Sequence, residues 1–193
     1  MSYTPKILAF SGSARKDSFN QRVVQIAANG ARAVGAEVTV LNFRDLPLPL
    51  YDQDLEAEQG MPQNVLKLKE IMRAHQGLLI ASPEYNSSVT PLLKNAIDWA
   101  SRPVDGEPPL GCFEGRVAAI MSASPGGLGG LRGLIHLRSI LGNIRVIVLP
   151  DQVAVSHASE AFHPEGTLKE ARLQRSVEQL GEKVATIMAR LNG

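Results

Sequence analysis

A three-layer α/β sandwich around one parallel sheet is the fold this sequence predicts. Two observations carry it. Short runs such as Ile7-Leu8-Ala9-Phe10 and Leu78-Leu79-Ile80-Ala81 are apolar at every position, as strands buried on both faces are. Between such runs stand longer stretches with apolar residues at helical spacing, and this alternation is the mark of parallel strands joined by crossover helices.

The elements follow in order. Residues 6–10 form the first strand and 11–17 a polar loop. Ser18 opens a helix, because Ser18 and Gln21 have the spacing of a capping box. Val23, Ile26, Ala27, Gly30, Ala31 and Val34 make its inner stripe, and Gly35 suits the position just past its end. Residues 37–42 are the second strand, with Val38 and Val40 on one face. Pro47 and Pro49 make 46–51 a loop. A helix covers 65–74, with Pro62 near its start, and the third strand covers 77–82. Thr90 as N-cap and Pro91 at the first position announce the next helix, which carries Leu92, Leu93, Ala96, Ile97 and Ala100 and stops before Pro103. The fourth strand is 116–121, a helix spans 128–141, and the fifth strand is 145–149. The last helix, 168–191, repeats Leu173, Val177, Leu180, Val184, Ile187 and Leu191.

Five strands and five helices in so short a chain fit a flavodoxin-like, five-stranded parallel sheet in the order 2-1-3-4-5 better than a closed barrel. Its ligand crevice lies beyond the carboxyl ends of the first and third strands, where the strand order reverses.

The chain has 193 residues, with 20 Lys+Arg against 19 Asp+Glu and a formal net charge of +1. A chain of this length buries about 70% of the surface its unfolded form exposes, so residues 1–193 read as one domain. Near-neutral charge argues against nucleic acid as a partner, since no basic field meets the phosphates. It also argues against an acidic electron carrier steered to basic partners. Cys112 is the only cysteine, which excludes an internal disulfide and any cysteine-clustered metal site. His157, His163, Glu160 and Glu165 match no standard ligand spacing, so no metal is expected and the segment reads as an exposed loop. No export signal and no apolar run of membrane-spanning length is present, and the expected setting is cytoplasmic.

Polar loops should emerge together from three strands. The first holds Ser11, Ser13, Arg15, Ser18 and Asn20, which are short donors and a guanidinium fork beside a helix N-terminus: a place built for a phosphate. The alternative is an ordinary turn into a capped helix, and Ser18 can serve both. In the second loop Pro83 stiffens a turn that leaves the amides of Glu84, Tyr85 and Asn86 to a flat heterocycle, with the Tyr85 ring against it. The third, 122–130, carries Ser122, Ser124 and Gly126, where glycine lets backbone approach a ligand. The alternative there is a helix start with Ser124 as cap and Pro125 in the first turn. Glu84 is read as structural or as an interface residue, Trp99 as packing, and Asn95 and Lys94 as braces under the second loop.

With these motifs on the page, the chain resembles a known family. The run G-S-x-R-x-x-S-x-N at 12–20, P-E-Y-N-x-S at 83–88 and L-K-N-A-I-D-W at 93–99 are similar to those of the NADPH-dependent FMN reductases, flavoproteins that reduce quinones, azo compounds or chromate. The resemblance implies that Ser13, Arg15, Ser18 and Asn20 hold the FMN phosphate. Pro83, Glu84, Tyr85 and Asn86 would line the isoalloxazine, and Ser122 and Ser124 would close its other side. It implies NADPH or NADH as co-substrate, hydride transfer to the flavin, and a ping-pong cycle ending on a quinone, free flavin or similar small acceptor. It also implies a homo-oligomer, dimer or tetramer, with the 46–52 and 106–112 loops at the rim of the site. No side chain is assigned as acid or base. Tyr85 is the best candidate for positioning the acceptor. A flavodoxin-type electron carrier or an FMN-binding sensor is the competing expectation.

Overall fold

The computed structural model describes residues 3–193. Five strands, β1 (Lys6–Ser11), β2 (Glu37–Leu41), β3 (Gly77–Ala81), β4 (Val117–Ala123) and β5 (Ile147–Val155), form one sheet. Its order is β2-β1-β3-β4-β5 and every pairing is parallel, as the sequence predicts. Alternate residues of β1 feed two cores: Ile7 and Ala9 point to one face, Leu8 and Phe10 to the other.

On the first face α1 (Phe19–Ala33) packs against the C-terminal helix α7 (Ala171–Asn192). Their backbones touch: a Cβ at Gly181 would collide with the Ala27 carbonyl, and one at Gly30 with that of Glu178. Only glycine permits this crossing. Ser18 caps α1 through Gln21, Val34 stands 50% exposed beyond the stripe, and Gly35 has φ +90. The second face carries α3 (Gln63–Arg73), α4 (Pro91–Ser101) and α5 (Leu131–Asn143). Thr90 caps α4 with Pro91 at its start.

Several elements depart from the sequence expectation. A short helix, α2 (Gln53–Gln59), follows the 46–51 loop; Asp52 caps it and Gly60 ends it, but it buries nothing and so shows no apolar stripe. Another, α6 (Ala158–Ala161), falls in the segment read as loop. Helix α5 starts at Leu131 rather than 128, because Gly129 and Gly130 both take positive φ. Strand β5 runs on past Pro150 to Val155 instead of ending at 149. The proline is tolerated at a sheet edge, where the register breaks opposite β4, and Arg138 supplies donors to the freed carbonyls, 2.7 Å from that of Leu149.

Candidate functional site

The three loops meet at the carboxyl edge as expected. Ser13, Arg15, Ser18 and Asn20 face Pro83, Glu84, Tyr85 and Ser124 across one cleft of about 100 Å³, completed by Phe19, Ala123 and Pro125. Ser11, Asn86, Ser122 and Gly126 lie outside its lining.

The first loop is fixed at its base. The Gly12 amide donates to the Ala81 carbonyl (2.8 Å) and the Thr90 hydroxyl to the Gly12 carbonyl (2.6 Å). A Cβ at Gly12 would stand 2.9 Å from that of Leu93, so the glycine lets the loop press onto α4. The amides of Ser13, Ala14, Phe19 and Asn20 have no acceptor among the described residues, and the Arg15 side chain is exposed and unpaired. Ser11 is buried, and its hydroxyl lacks any partner.

Asn20 lines the cleft as expected and has a further task. Its side-chain amide donates to the Ala123 carbonyl (2.8 Å), and its oxygen accepts from the Ala123 amide (2.9 Å). Through these two bonds the side chain joins the first loop to the third. Arg44, from the segment after β2, donates to the Ala14 carbonyl at 3.1 Å and adds a cation beside the loop. No local motif announces that contact, which spans 30 positions.

The second loop is a tight turn. Tyr85 and Ser88 exchange two backbone hydrogen bonds at 3.0 Å, around Asn86 (φ 50) and Ser87 (φ 66). Two positive φ values define a type I′ turn, costly for serine. The Tyr85 amide is therefore used inside the turn, and of the three expected amides those of Glu84 and Asn86 have no acceptor among the described residues. The Tyr85 ring stands 51% exposed. Glu84 turns away: its carboxylate accepts from the Arg132 amide (3.0 Å) and the Gly133 amide (3.2 Å) and pairs with the Arg132 guanidinium (2.7 Å). It caps α5, whose own N-cap, Gly130, has no side chain to offer.

In the third loop Ser122 is fully buried, and its hydroxyl donates to the Gly129 carbonyl at 2.7 Å. It stays below the cleft as a support, contrary to the expected place beside a ring. Ser124 caps a turn through the Gly126 amide (3.3 Å), not α5. Gly129 and Gly130 are required by the fold, since a Cβ there would strike Val155 backbone or Ser122. Gly126 and Gly127 are not, with nothing closer than 3.8 Å to a Cβ.

The expected rim loops do not line the cleft. The 46–52 segment is pinned to α4 instead: Asn95 and Trp99 both donate to the Pro49 carbonyl at 2.8 Å, and the Tyr51 amide donates to Asn95 (2.8 Å). Asn95 thus braces this loop rather than the Tyr85 turn, while Lys94 pairs with Asp98 on its own helix. Cys112 is buried, and burial pushes its thiol up, the wrong direction for a nucleophile. Among the described residues no cluster of His, Cys, Asp and Glu is suited to a metal.

Fold and cleft together define a flavodoxin-like protein with its ligand crevice at the switch point of the sheet. Comparison with known proteins narrows this. The family described as NADPH-dependent FMN reductase matches residues 5–160. An NAD(P)H-dependent FMN reductase of Pseudomonas aeruginosa is 37% identical over 194 aligned positions, covering 100% of both chains. A quinone reductase of Escherichia coli K12 is 41% identical over 154, covering 77% of this chain and 76% of its own. Among solved structures, a flavoenzyme NAD(P)H:(acceptor) oxidoreductase of Paracoccus denitrificans matches with a TM-score of 0.80 at 26% identity, over 97% of this chain and 98% of that one. The chain belongs to the NADPH-dependent FMN reductase family.

Proposed function

We propose that the chain is an FMN-dependent NAD(P)H oxidoreductase that reduces a quinone, a free flavin or a related small acceptor by a ping-pong cycle. The observation carrying this reading is one cleft that joins Arg15 and the unpaired amides of the first loop to the exposed Tyr85 ring. FMN suits these residues. The partnerless Ser11 hydroxyl lies at the foot of the same loop, and Gly126 and Gly127 keep open a space that the fold itself does not need.

Ser13, Arg15 and Ser18 would hold the phosphate, whose charge the first-turn amides of α1 offset. Pro83, Tyr85 and the amides of Glu84 and Asn86 would flank the ring, with Ser124 and Gly126 opposite. Asn20, in the cleft lining, would join the phosphate-holding residues and also ties the first loop to the third, while Ser122 supports the third loop from below. Held there, FMN would supply the redox chemistry, a hydride acceptor for NAD(P)H and an electron donor for the acceptor. The chain's part is alignment: the exposed Tyr85 ring would hold a planar partner in the cleft, and backbone amides would favour negative charge nearby. One open face serving donor and acceptor in turn makes the cycle ping-pong. No side chain need move a proton.

The described residues build one sheet with two cores, which supports residues 1–193 as a single FMN-binding domain. Leu128, Leu131 and Ile135, between 39% and 60% exposed at α5, support a homo-oligomer, dimer or tetramer. No described helix is long and apolar enough to cross a membrane, and the free, buried Cys112 is compatible with the cytoplasm.

An absorbance spectrum of the purified protein tests the reading, with anaerobic NADPH added next and then a quinone. A flavin band that bleaches and returns is expected. A band that NADPH leaves untouched would favour an electron carrier or sensor, and no flavin after reconstitution would overturn the site.

A further inference from the structure

A second groove, of about 310 Å³, adjoins the cleft and shares Ser18 with it. It runs along the outer face of α1 to the 165–167 turn, and its lining is mixed: the polar side chains of Lys16, Gln21, Arg22, Gln25 and Thr167 stand on its walls beside apolar surface that includes Ile26. Arg22 is held in an unusual way. Phe19 and Phe162 stack with their planes 5° apart, and the guanidinium lies 6.0 Å and 5.7 Å from the two ring centres. Aromatic faces orient a guanidinium without consuming its N–H groups or cancelling its charge. Neither Arg22 nor Lys16 has an acidic partner among the described residues. Asp17 and Glu165 also border the groove, Glu165 accepting from the Thr167 hydroxyl at 3.1 Å. Amides, carboxylates and cations in one trough suit a nucleoside bearing a phosphate: amide side chains match both kinds of base-edge group, and carboxylates accept from ribose hydroxyls.

Resting on the flavin-reductase reading above, we propose that this groove receives the adenosine half of NADPH, with Arg22 and Lys16 on its 2′-phosphate. The groove then discriminates NADPH from NADH at a distance from the ring, because only the first carries the group these cations lack.

The test uses the protein saturated with FMN, so that the cleft phosphate position is filled, and measures binding of 2′,5′-ADP and of 5′-AMP by calorimetry. The wild type should bind 2′,5′-ADP roughly tenfold or more tighter, the scale of a charge-assisted phosphate contact. Arg22→Gln should bring that ratio close to one. Lys16→Gln, at an exposed position outside both cores, should lower it in part. Equal binding of the two nucleotides by the wild type, or a ratio that both variants leave unchanged, overturns the proposal. Failure to take up FMN at all would sink the underlying reading instead.

Discussion

Glu84 caps α5 from outside the helix, its carboxylate 3.0 Å from the Arg132 amide and 2.7 Å from the Arg132 guanidinium. The residue beside Tyr85 thus supplies what Gly130 cannot, and it ties the ring-flanking turn to the helix behind it. Loss of a cap costs about 0.5–2 kcal/mol. Glu84→Ala should lower stability toward urea by about that much and loosen the Tyr85 turn. Glu84→Gln keeps an acceptor for the amides and should recover part of the loss. Equal destabilisation by both variants would leave the charge, not the cap, as the important feature.

Arg15 and Asn20 lie five positions apart and should fail differently. Arg15→Ala removes an exposed cation with no internal partner, so FMN binding should weaken by about 1.5–3 kcal/mol while thermal stability holds. Asn20→Ala breaks the clamp on Ala123 and should lower the melting temperature of the flavin-free chain. FMN titration and thermal melts of both variants separate the two roles.

Tyr85→Ala should change acceptor kinetics more than FMN retention, since the ring stands in the open. Steady-state rates with a quinone, set beside flavin content, check this. A parallel fall in both would make Tyr85 a cofactor contact only.

Gly181→Ala should be among the most damaging small changes far from the cleft. The added methyl meets the Ala27 carbonyl and the Ala31 amide, and backbone in a packed helix pair gives way poorly. A loss of about 1–3 kcal/mol or more is expected in chemical denaturation.

The Cys112 thiol, pushed up chiefly by burial, makes stability fall on the alkaline side. Above about pH 8.5 the unfolded chain releases this proton while the folded chain keeps it, so the folded state binds more protons and stability drops as pH rises. Tyr3 and Tyr51, also raised by burial, add to the decline above about pH 10. Denaturation midpoints should decline from pH 8 to 10, and less steeply in Cys112→Ala.

What the sequence made legible was local chemistry. Ser18, Gly35, Thr90 and Pro91 announce helix ends because their partners lie within a few residues, and the buried strands announce the sheet. Helix α2 was invisible because it buries nothing. The reach of β5 past Pro150 depends on Arg138, a residue of another element. The same limit applies at the cleft. The loops and most of their residues could be read, but Ser122 looked like a ligand group until Gly129 was seen to occupy it. Arg44 joined the first loop only through the fold.

The clamp between Asn20 and Ala123 ties the first loop to the third through both ends of one side-chain amide. The spacing of those two loops along the cleft is therefore set by a single residue, before any ligand arrives. A flavin entering such a slot meets groups already in place, and little of its affinity is spent on ordering the chain. One side chain thus acts as a spacer between the two loops that an occupant of the cleft would meet first.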